Sequence, residues 1–493
     1  MNDAPRKPSL SRNVISAIGA LIVFVALMNT IFLIYIDSRQ THGSPYLGIL
    51  AWIVGPAILS FGLIVYMAGL LIERRRRRMR APDDIPQYPA IDLNVHRTRM
   101  IVASIFAGVI LFVTASVIGS FQAFHYTESD EFCGTACHQP MHPENIAHQI
   151  SPHARVACVA CHVGGGAEWY VRSKINGTHQ LMGVITGNYK RPIATPINNL
   201  RPARDTCEQC HWPEKNFGDQ LKVFSHYQYD EQSTPTEVRL LIHVGGGSPA
   251  TGVAPGIHWH MNLANKIDYV AVDPQRQDIP WVRMTDRNGK VTDYVREDSK
   301  VTPAQIANAR QMDCLDCHSR PAHNYLSPDR AVDRALLTGS IDRSLPYVKQ
   351  QAVNILSKNY GSTAQAVKTI GRDFPAYYSK TYPAVYAARR ASVDHSMKSL
   401  QRIFQFTRFP EMRVDWRTHR NNLGHMYSLG CFRCHDDQHV SKDGRRISKE
   451  CSICHEVLSA PEGKTAEFQH PVDLGDLRDM VCTDCHTGGD MTQ

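Results

Sequence analysis

FCGTACHQPMHPE, residues 132–144, holds Cys133 and Cys137 with three residues between them and His138 directly after the second. The other cysteines decide how to read it. All 14 fall into seven pairs, and every pair is followed at once by a histidine. The remaining six are C-x-x-C-H: Cys158/Cys161-His162, Cys207/Cys210-His211, Cys314/Cys317-His318, Cys431/Cys434-His435, Cys451/Cys454-His455 and Cys482/Cys485-His486. With 24 histidines in 493 residues, chance does not place one after every pair. Structural zinc sites use C-x-x-C pairs, but tetrahedral coordination does not ask for an adjacent histidine. A c-type haem does, because two thioethers hold its vinyl edges and the next residue swings beneath the iron. Seven covalently bound haem c groups are therefore expected, the first on a loop one residue longer. Thioether attachment takes place outside the cytoplasm, so the cysteine-bearing part must be exported.

Three uncharged apolar runs precede the first cysteine: Val14 to Ile36, Leu47 to Ile72 and Met100 to Phe121. Each reaches the roughly 20 residues needed to cross a bilayer. The first is too long for a signal-peptide core and lacks a small-residue cleavage site, so it reads as a retained anchor. Arg6, Lys7 and Arg12 precede the first run, while Arg74 to Arg78, Arg80, Arg97 and Arg99 fill the segment between the second and third. The connection from Asp37 to Tyr46 has only Arg39. The positive-inside rule then puts the N-terminus and the Arg-rich loop in the cytoplasm and everything beyond Phe121 outside. In a bacterium this is the inner membrane with a periplasmic haem domain. The Arg run reads as a topology determinant; no nucleic-acid partner is expected.

Residues 1–121 carry 12 Lys+Arg against 6 Asp+Glu, leaving 42 against 40 beyond them, so the net +8 belongs mostly to the anchor. Haem propionates would make the exported part acidic, which suits a basic partner surface. Residues 122–493 offer too little chain per haem for seven separate small cytochromes, so the haems must form much of the core. The expected fold is a membrane-anchored multihaem c-type cytochrome: three transmembrane helices plus a mainly α, haem-packed periplasmic domain with a small β-rich insertion. Its divisions are a three-helix anchor over 1–121, a four-haem region over 122–330, a helical linker over 331–430 and a three-haem region over 431–493. The insertion, near 217–294, shows alternating stretches such as TEVRLLIHV, and Asp286-Arg-Asn-Gly joins WVRMT to KVTDYV as a hairpin turn. SLPYVKQQAVNILSKNY and YPAVYAARRASVDHSMKSLQRIF read as helices. No nucleotide loop, catalytic triad or metal-hydrolase motif occurs.

A haem that only carries electrons needs a ligand on each face of its iron. His138, His162, His211, His318, His435, His455 and His486 are the motif ligands. Among the rest, His153, His243, His258, His323, His425 and His439 lie near motifs or in backbone-yielding contexts. His260, two residues after His258, is a candidate as well, and at most one ligand is expected from that pair. Bis-histidine iron sits at low potential, whereas methionine raises it.

HQISPHARVACVACHVG, TGNYKRPIATPINNLRPARDTCEQCHWPEKNFG and MDCLDCHSRPAHNY resemble the haem domain of the NapC/NirT/NrfH family of membrane-anchored quinol dehydrogenases. Three spans, an insertion before the fourth haem and a three-haem tail are similar to the ImcH-like seven-haem inner-membrane cytochromes of that family. The resemblance implies that a methionine after the first motif, Met141 here, competes with His138 for the first iron. It implies that His323 and His153 are distal ligands. It also places Lys174, in VRSKINGTHQL, beside a quinol pocket. The family's nearby acidic residue has no match; His179 or Gln180 stands there.

Quinol oxidation releases two electrons and two protons, so a base is needed beside the first acceptor. The first motif begins 12 residues after the third run, at the membrane surface. Lys174, His179 and Glu168 are the candidate polar groups. The chain therefore reads as a quinol dehydrogenase that passes electrons from menaquinol or ubiquinol to periplasmic cytochromes or a reductase, or toward extracellular respiration. The alternative is a haem conduit fed by a membrane-subunit partner. A terminal reductase would need an open iron, and no C-x-x-C-K occurs.

Overall fold

The computed structural model describes residues 10–11, 13–39, 54–78, 93–136, 138–164, 167–197, 201–212, 218–248, 252–254, 256–261 and 265–458. Cys137, Cys482, Cys485 and His486 lie outside the described residues, and of His138, Glu168 and Lys174 only the backbone is described. The chain divides into two compact units, Met1–Phe132 with Val163–His179, and Cys133–His162 with Gln180–Gln493. Its longer helices are α1 (Val14–Arg39), α2 (Gly55–Arg78), α3 (His96–Thr127), α4 (His138–Gln149), α5 (Ala167–Ile185), α6 (Pro328–Leu337), α7 (Val348–Ser357), α8 (Thr363–Thr381), α9 (Pro383–Ala388) and α10 (Arg390–Thr407).

In the first unit, Val14–Tyr35, Gly55–Arg78 and His96–Ser116 are long and apolar enough to cross a membrane. Helices α1 and α2 pack antiparallel through small residues. Gly55, Gly62 and Gly69, seven residues apart, share the buried face of α2. A side chain at Gly62 would meet Ile22 and Val23, and one at Gly69 would meet Ser16 and Asn13. Without a hydrophobic drive between helices in lipid, close backbone approach and polar contacts hold such pairs. The polar contacts are Asn13 Nδ2 donating to the Gly69 carbonyl at 3.2 Å and Ser16 Oγ to the Tyr66 carbonyl at 3.3 Å. This arrangement brings the N-terminal end of α1 to the end of α2 that carries Arg74 to Arg78. Buried Glu73 is paired there with Arg77 at 3.0 Å. The part of α5 that runs to His179 belongs to this unit.

The second unit has two kinds of interior. Helices α6 to α10 form an apolar bundle. Ala366, Ile370, Phe374 and Tyr378 recur every fourth residue on α8 and pack with Val393, Leu400 and Phe404 of α10, all at 0–2 % exposure. Spacing of three and four puts such residues on one helix face. The bundle joins the sheet region at Asp333, which pairs with buried Lys349 and accepts from the Tyr227 amide at 3.2 Å.

The sheet region begins with β1 (Asp219–Tyr227), β2 (Pro235–His243), β3 (Gly246–Ser248) and β4 (Gly252–Ala254). It continues through β5 (Lys266–Val270), β6 (Trp281–Thr285), β7 (Val291–Arg296) and β8 (Arg310–Gln311). Two late strands, β9 (His439–Ser441) and β10 (His455–Leu458), come from the tail. One antiparallel sheet runs β1-β2-β10 and another β8-β5-β6-β7-β9, while β3 and β4 pair alone. The β6–β7 hairpin turns at the expected place: Asp286 Oδ1 accepts from the Asn288 and Lys290 amides, and Gly289 takes φ +77°. The division expected at residue 431 is bridged, because β9 pairs with β7 and β10 pairs with β2, His455 standing opposite Ile242. Tail and insertion are sewn together by backbone hydrogen bonds.

Candidate haem-binding and electron-transfer site

The described cysteine motifs form single tight turns. Residues 314–317 start on Asp313, whose side chain accepts from the Leu315 amide, while the Asp316 side chain accepts from the Asp313 amide. Asp316, 2 % exposed, also accepts from Tyr269 at 2.6 Å, Arg276 at 3.0 Å and Arg310 at 3.1 Å. A buried carboxylate needs that many donors. The fourth motif is thereby fixed to β5 and to the loop after it.

Successive motifs are neighbours in space. The turns at 158–162 and 203–207 touch, as do those at 203–207 and 314–317. Cys161 lies close to Cys210, and Cys207 lies close to Cys314. Cys317 faces Cys431, which in turn faces Cys454. Arg433, inside the fifth motif and 7 % exposed, donates to the Asp316 carbonyl of the fourth at 2.6 Å. From the second motif to the sixth, order in space follows order in the chain.

Each of these five motif histidines has a second imidazole beside it. Ring centroids lie 6.1 Å apart for His162 and His323, 6.1 Å for His211 and His153, and 6.4 Å for His318 and His258. They lie 5.8 Å apart for His435 and His260, and 6.2 Å for His455 and His425. Metal–imidazole bonds of about 2.0 Å on each side, plus the rings' own half-widths, require about 6 Å between centroids. These spacings fit an iron between each pair.

The tautomers fit as well. Nδ1 lies 3.0 Å from the Glu144 carbonyl in His323, 3.2 Å from the Pro321 carbonyl in His153, and 3.2 Å from the Val244 carbonyl in His258. It lies 2.9 Å from the Ile257 carbonyl in His260 and 2.8 Å from the Ser448 carbonyl in His435. A carbonyl only accepts, so each Nδ1 carries the proton and each Nε2 keeps the lone pair that binds metal. Burial pushes His162, His258, His260, His318, His435 and His455 below their ordinary values, and His323 down to about 4. They are neutral at physiological pH, as ligands must be.

Apolar side chains beside these turns are bare on the protein alone. Trp212, next to His211, is 55 % exposed, and Leu423, Met426 and Ile453 are 42–57 % exposed. That is the surface a macrocycle would cover.

The structure does not treat all the sequence-named histidines alike. It brings His153, His258, His323 and His425 to motif histidines. His243, at the end of β2, has Nδ1 3.0 Å from Asp219 and Nε2 3.9 Å from Glu456. His439, fully buried in β9, has Nδ1 2.8 Å from Asp436 and Nε2 2.7 Å from the Ile279 carbonyl, so both nitrogens face acceptors. His260 is the addition. At most one ligand was expected from the His258/His260 pair, yet the turn Ile257–Met261 brings the two rings to different motif histidines, His318 and His435. A His-x-His spacing on a tight turn was the signal for it.

Around the first motif, Cys133 and Met141 are half-buried, and His142 meets Phe409 edge-on at 5.6 Å. Glu144, on the helix that follows, accepts from Arg320 at 3.0 Å and lies 3.2 Å from His323 Nδ1. Burial pushes the Glu144 carboxyl up, but the charges of Arg320 and His323 and the hydrogen bonds from Arg320 outweigh it and hold it below its ordinary value. His179 and Gln180 on α5 are exposed. Sequence reasoning missed Glu144, whose partners Arg320 and His323 are 176 and 179 residues away, and Asp316 and Arg433, which stand at the variable positions of their motifs.

Three membrane-crossing helices joined to a chain of cysteine motifs with paired imidazoles define a membrane-anchored multihaem c-type cytochrome. Residues 95–196 match the NapC/NirT cytochrome c family, N-terminal region, and residues 424–493 match cytochrome c3. The chain is 43% identical over 484 residues to cytochrome c-type protein ImcH of Geobacter sulfurreducens, covering 96% of this chain and 95% of that protein. No solved structure matches it significantly. The chain belongs to the NapC/NirT cytochrome c family as an ImcH-like member. It carries covalently bound haem c and works in electron transfer at a membrane.

Proposed function

We propose that the protein oxidises quinol at the outer face of the bacterial inner membrane and passes the electrons through seven haems to a periplasmic acceptor. The N-terminus and the Arg-rich loop are cytoplasmic, and the second unit is periplasmic. Haem c, when bound, supplies a one-electron carrier at each motif. The residues of the chain set where the carriers stand and what ligates them. In the proposed set, His162 works with His323, His211 with His153, His318 with His258, His435 with His260, and His455 with His425. His138 or Met141 serves the first iron and His486 the seventh. His243 and His439, whose nitrogens face carboxylates and a carbonyl, are left out of it. Asp316, Arg433 and Glu144 act by positioning: they fix the turns and orient His323.

The observation that carries this reading is the run of five imidazole pairs at 5.8–6.4 Å along motifs that touch in chain order. Such a run has one use, which is moving electrons from one end to the other. For the entry end, support comes from residues 163–179, which fall in the compact unit of the membrane helices. Lys174, His179 and Glu168 on α5 are assigned to bind the quinol hydroxyls and take up its protons.

Purified protein mixed with menaquinol or ubiquinol should show haem reduction without any other subunit. No reduction by quinol, with dithionite reduction intact, would overturn the quinol reading in favour of a conduit fed by another membrane protein. Haemochrome quantitation should give seven haems, and mass spectrometry should find Cys133 and Cys137 modified.

A further inference from the structure

In the five pairs, His323, His153, His258, His260 and His435 hold Nδ1 against a carbonyl, which keeps the Nε2 lone pair free for a metal. A further histidine with this signature, His419, has no role in them. It is 7 % exposed, and its Nδ1 lies 3.0 Å from Thr195 Oγ1, a hydroxyl able to accept from it. Its Nε2 is buried and has no hydrogen-bond partner among the described residues. An unsatisfied buried polar atom costs about 1–3 kcal/mol, so such atoms are rarely left without an occupant.

The surroundings say which motif it serves. The second to sixth motifs each have their partner imidazole already, which leaves the first and the seventh. The segment leading to His419 packs on α4: Phe409, Met412 and Val414 share a core with Ala147, with Ile146 and Trp416 beside it. Helix α4 starts at His138, directly on the first motif, and its Glu144 is the carboxylate that His419 feels. We propose that His419 is a ligand to the iron of the haem carried by the first motif. This rests on the paired-ligand reading above and extends it to the entry haem. The first iron would then be coordinatively filled, able to take electrons but closed to nitrite or similar substrates.

In the full-length, haem-loaded protein, His419→Ala should leave the haem count unchanged and create one new high-spin ferric signal. His419→Met, which keeps an iron-binding side chain, should stay low-spin and raise the midpoint potential of one haem. On a Cys133→Ala/Cys137→Ala background, His419→Ala should add no high-spin signal. An unchanged spectrum in His419→Ala would overturn the proposal, as would a high-spin signal that persists on the background lacking the first attachment. If His419→Ala does not accumulate, unchanged potentials in His419→Met would overturn it equally. Wild-type protein without bis-histidine spectra would instead sink the ligand reading as a whole. Failure of quinol reduction leaves this proposal standing.

Discussion

The α6–α10 bundle and the cysteine-motif region lie in one unit and are built on opposite plans. In the bundle the core is protein: Val348, Ile370, Tyr378, Val393, Leu400 and Phe404 are all at 0 % exposure. Around the motifs, the turn at 158–162 buries nothing and Trp212 stays 55 % exposed. The polypeptide there is a frame whose core is the cofactor. What the frame does build is polar: carbonyls that fix imidazole tautomers, and Asp316 and Arg433 that lock neighbouring turns. Protein stability in this chain therefore has two sources, and each can be removed without the other.

The strongest way to break that contrast is to make the protein without haem attachment. Hydrogen exchange should then show the motif segments unprotected while α6 to α10 keep their slow amides. Uniform loss of protection, or uniform retention, would mean the two regions are not built differently.

Next in size are paired substitutions. Phe374→Ala in the bundle should cost about 3–5 kcal/mol of local stability, read as faster exchange in α8, with the haem spectrum unchanged. His258→Met should do the reverse: one haem potential rises by on the order of a tenth of a volt, within the roughly 0.8 V that axial ligands span, and α8 exchange is unaffected.

A smaller effect sharpens the polar frame. Glu144 is held below its ordinary value of 4.5, so its contribution is present above that pH and lost as pH falls through its lower folded value. Glu144→Gln should cost about 2–3 kcal/mol at neutral pH, and the gap to wild type should narrow as the pH falls below the ordinary value of 4.5. A gap that does not depend on pH would show that the carboxylate's charge is not what holds Arg320 and His323.

The contrast also explains what could be read from sequence. The three spans, the bundle helices and the β6–β7 hairpin were legible because each follows a local period or a turn residue such as Gly289. The seven motifs were legible because thioether attachment leaves a covalent signature at fixed spacing. The histidines that come to face a motif histidine carry no such signature. His323 stands five residues after His318 yet faces His162, and His425 precedes the fifth motif yet faces His455. Their partners depend on how turns stack in space, which no window of sequence records. His439 was named for its motif-rich neighbourhood, and in the fold its nitrogens lie beside Asp436 and the Ile279 carbonyl. Sheet pairing of β9 and β10 with strands far back in the chain was equally hidden.

The central claim is that paired imidazoles, not apolar packing, define the working half of the molecule. Near-infrared magnetic circular dichroism of the intact ferric protein tests it most directly, by reporting the axial ligands of every low-spin haem. At least five bis-histidine haems are expected, and His258→Ala, His260→Ala and His323→Ala should each remove one. Fewer than five, or a loss on His243→Ala or His439→Ala in place of these, would contradict it.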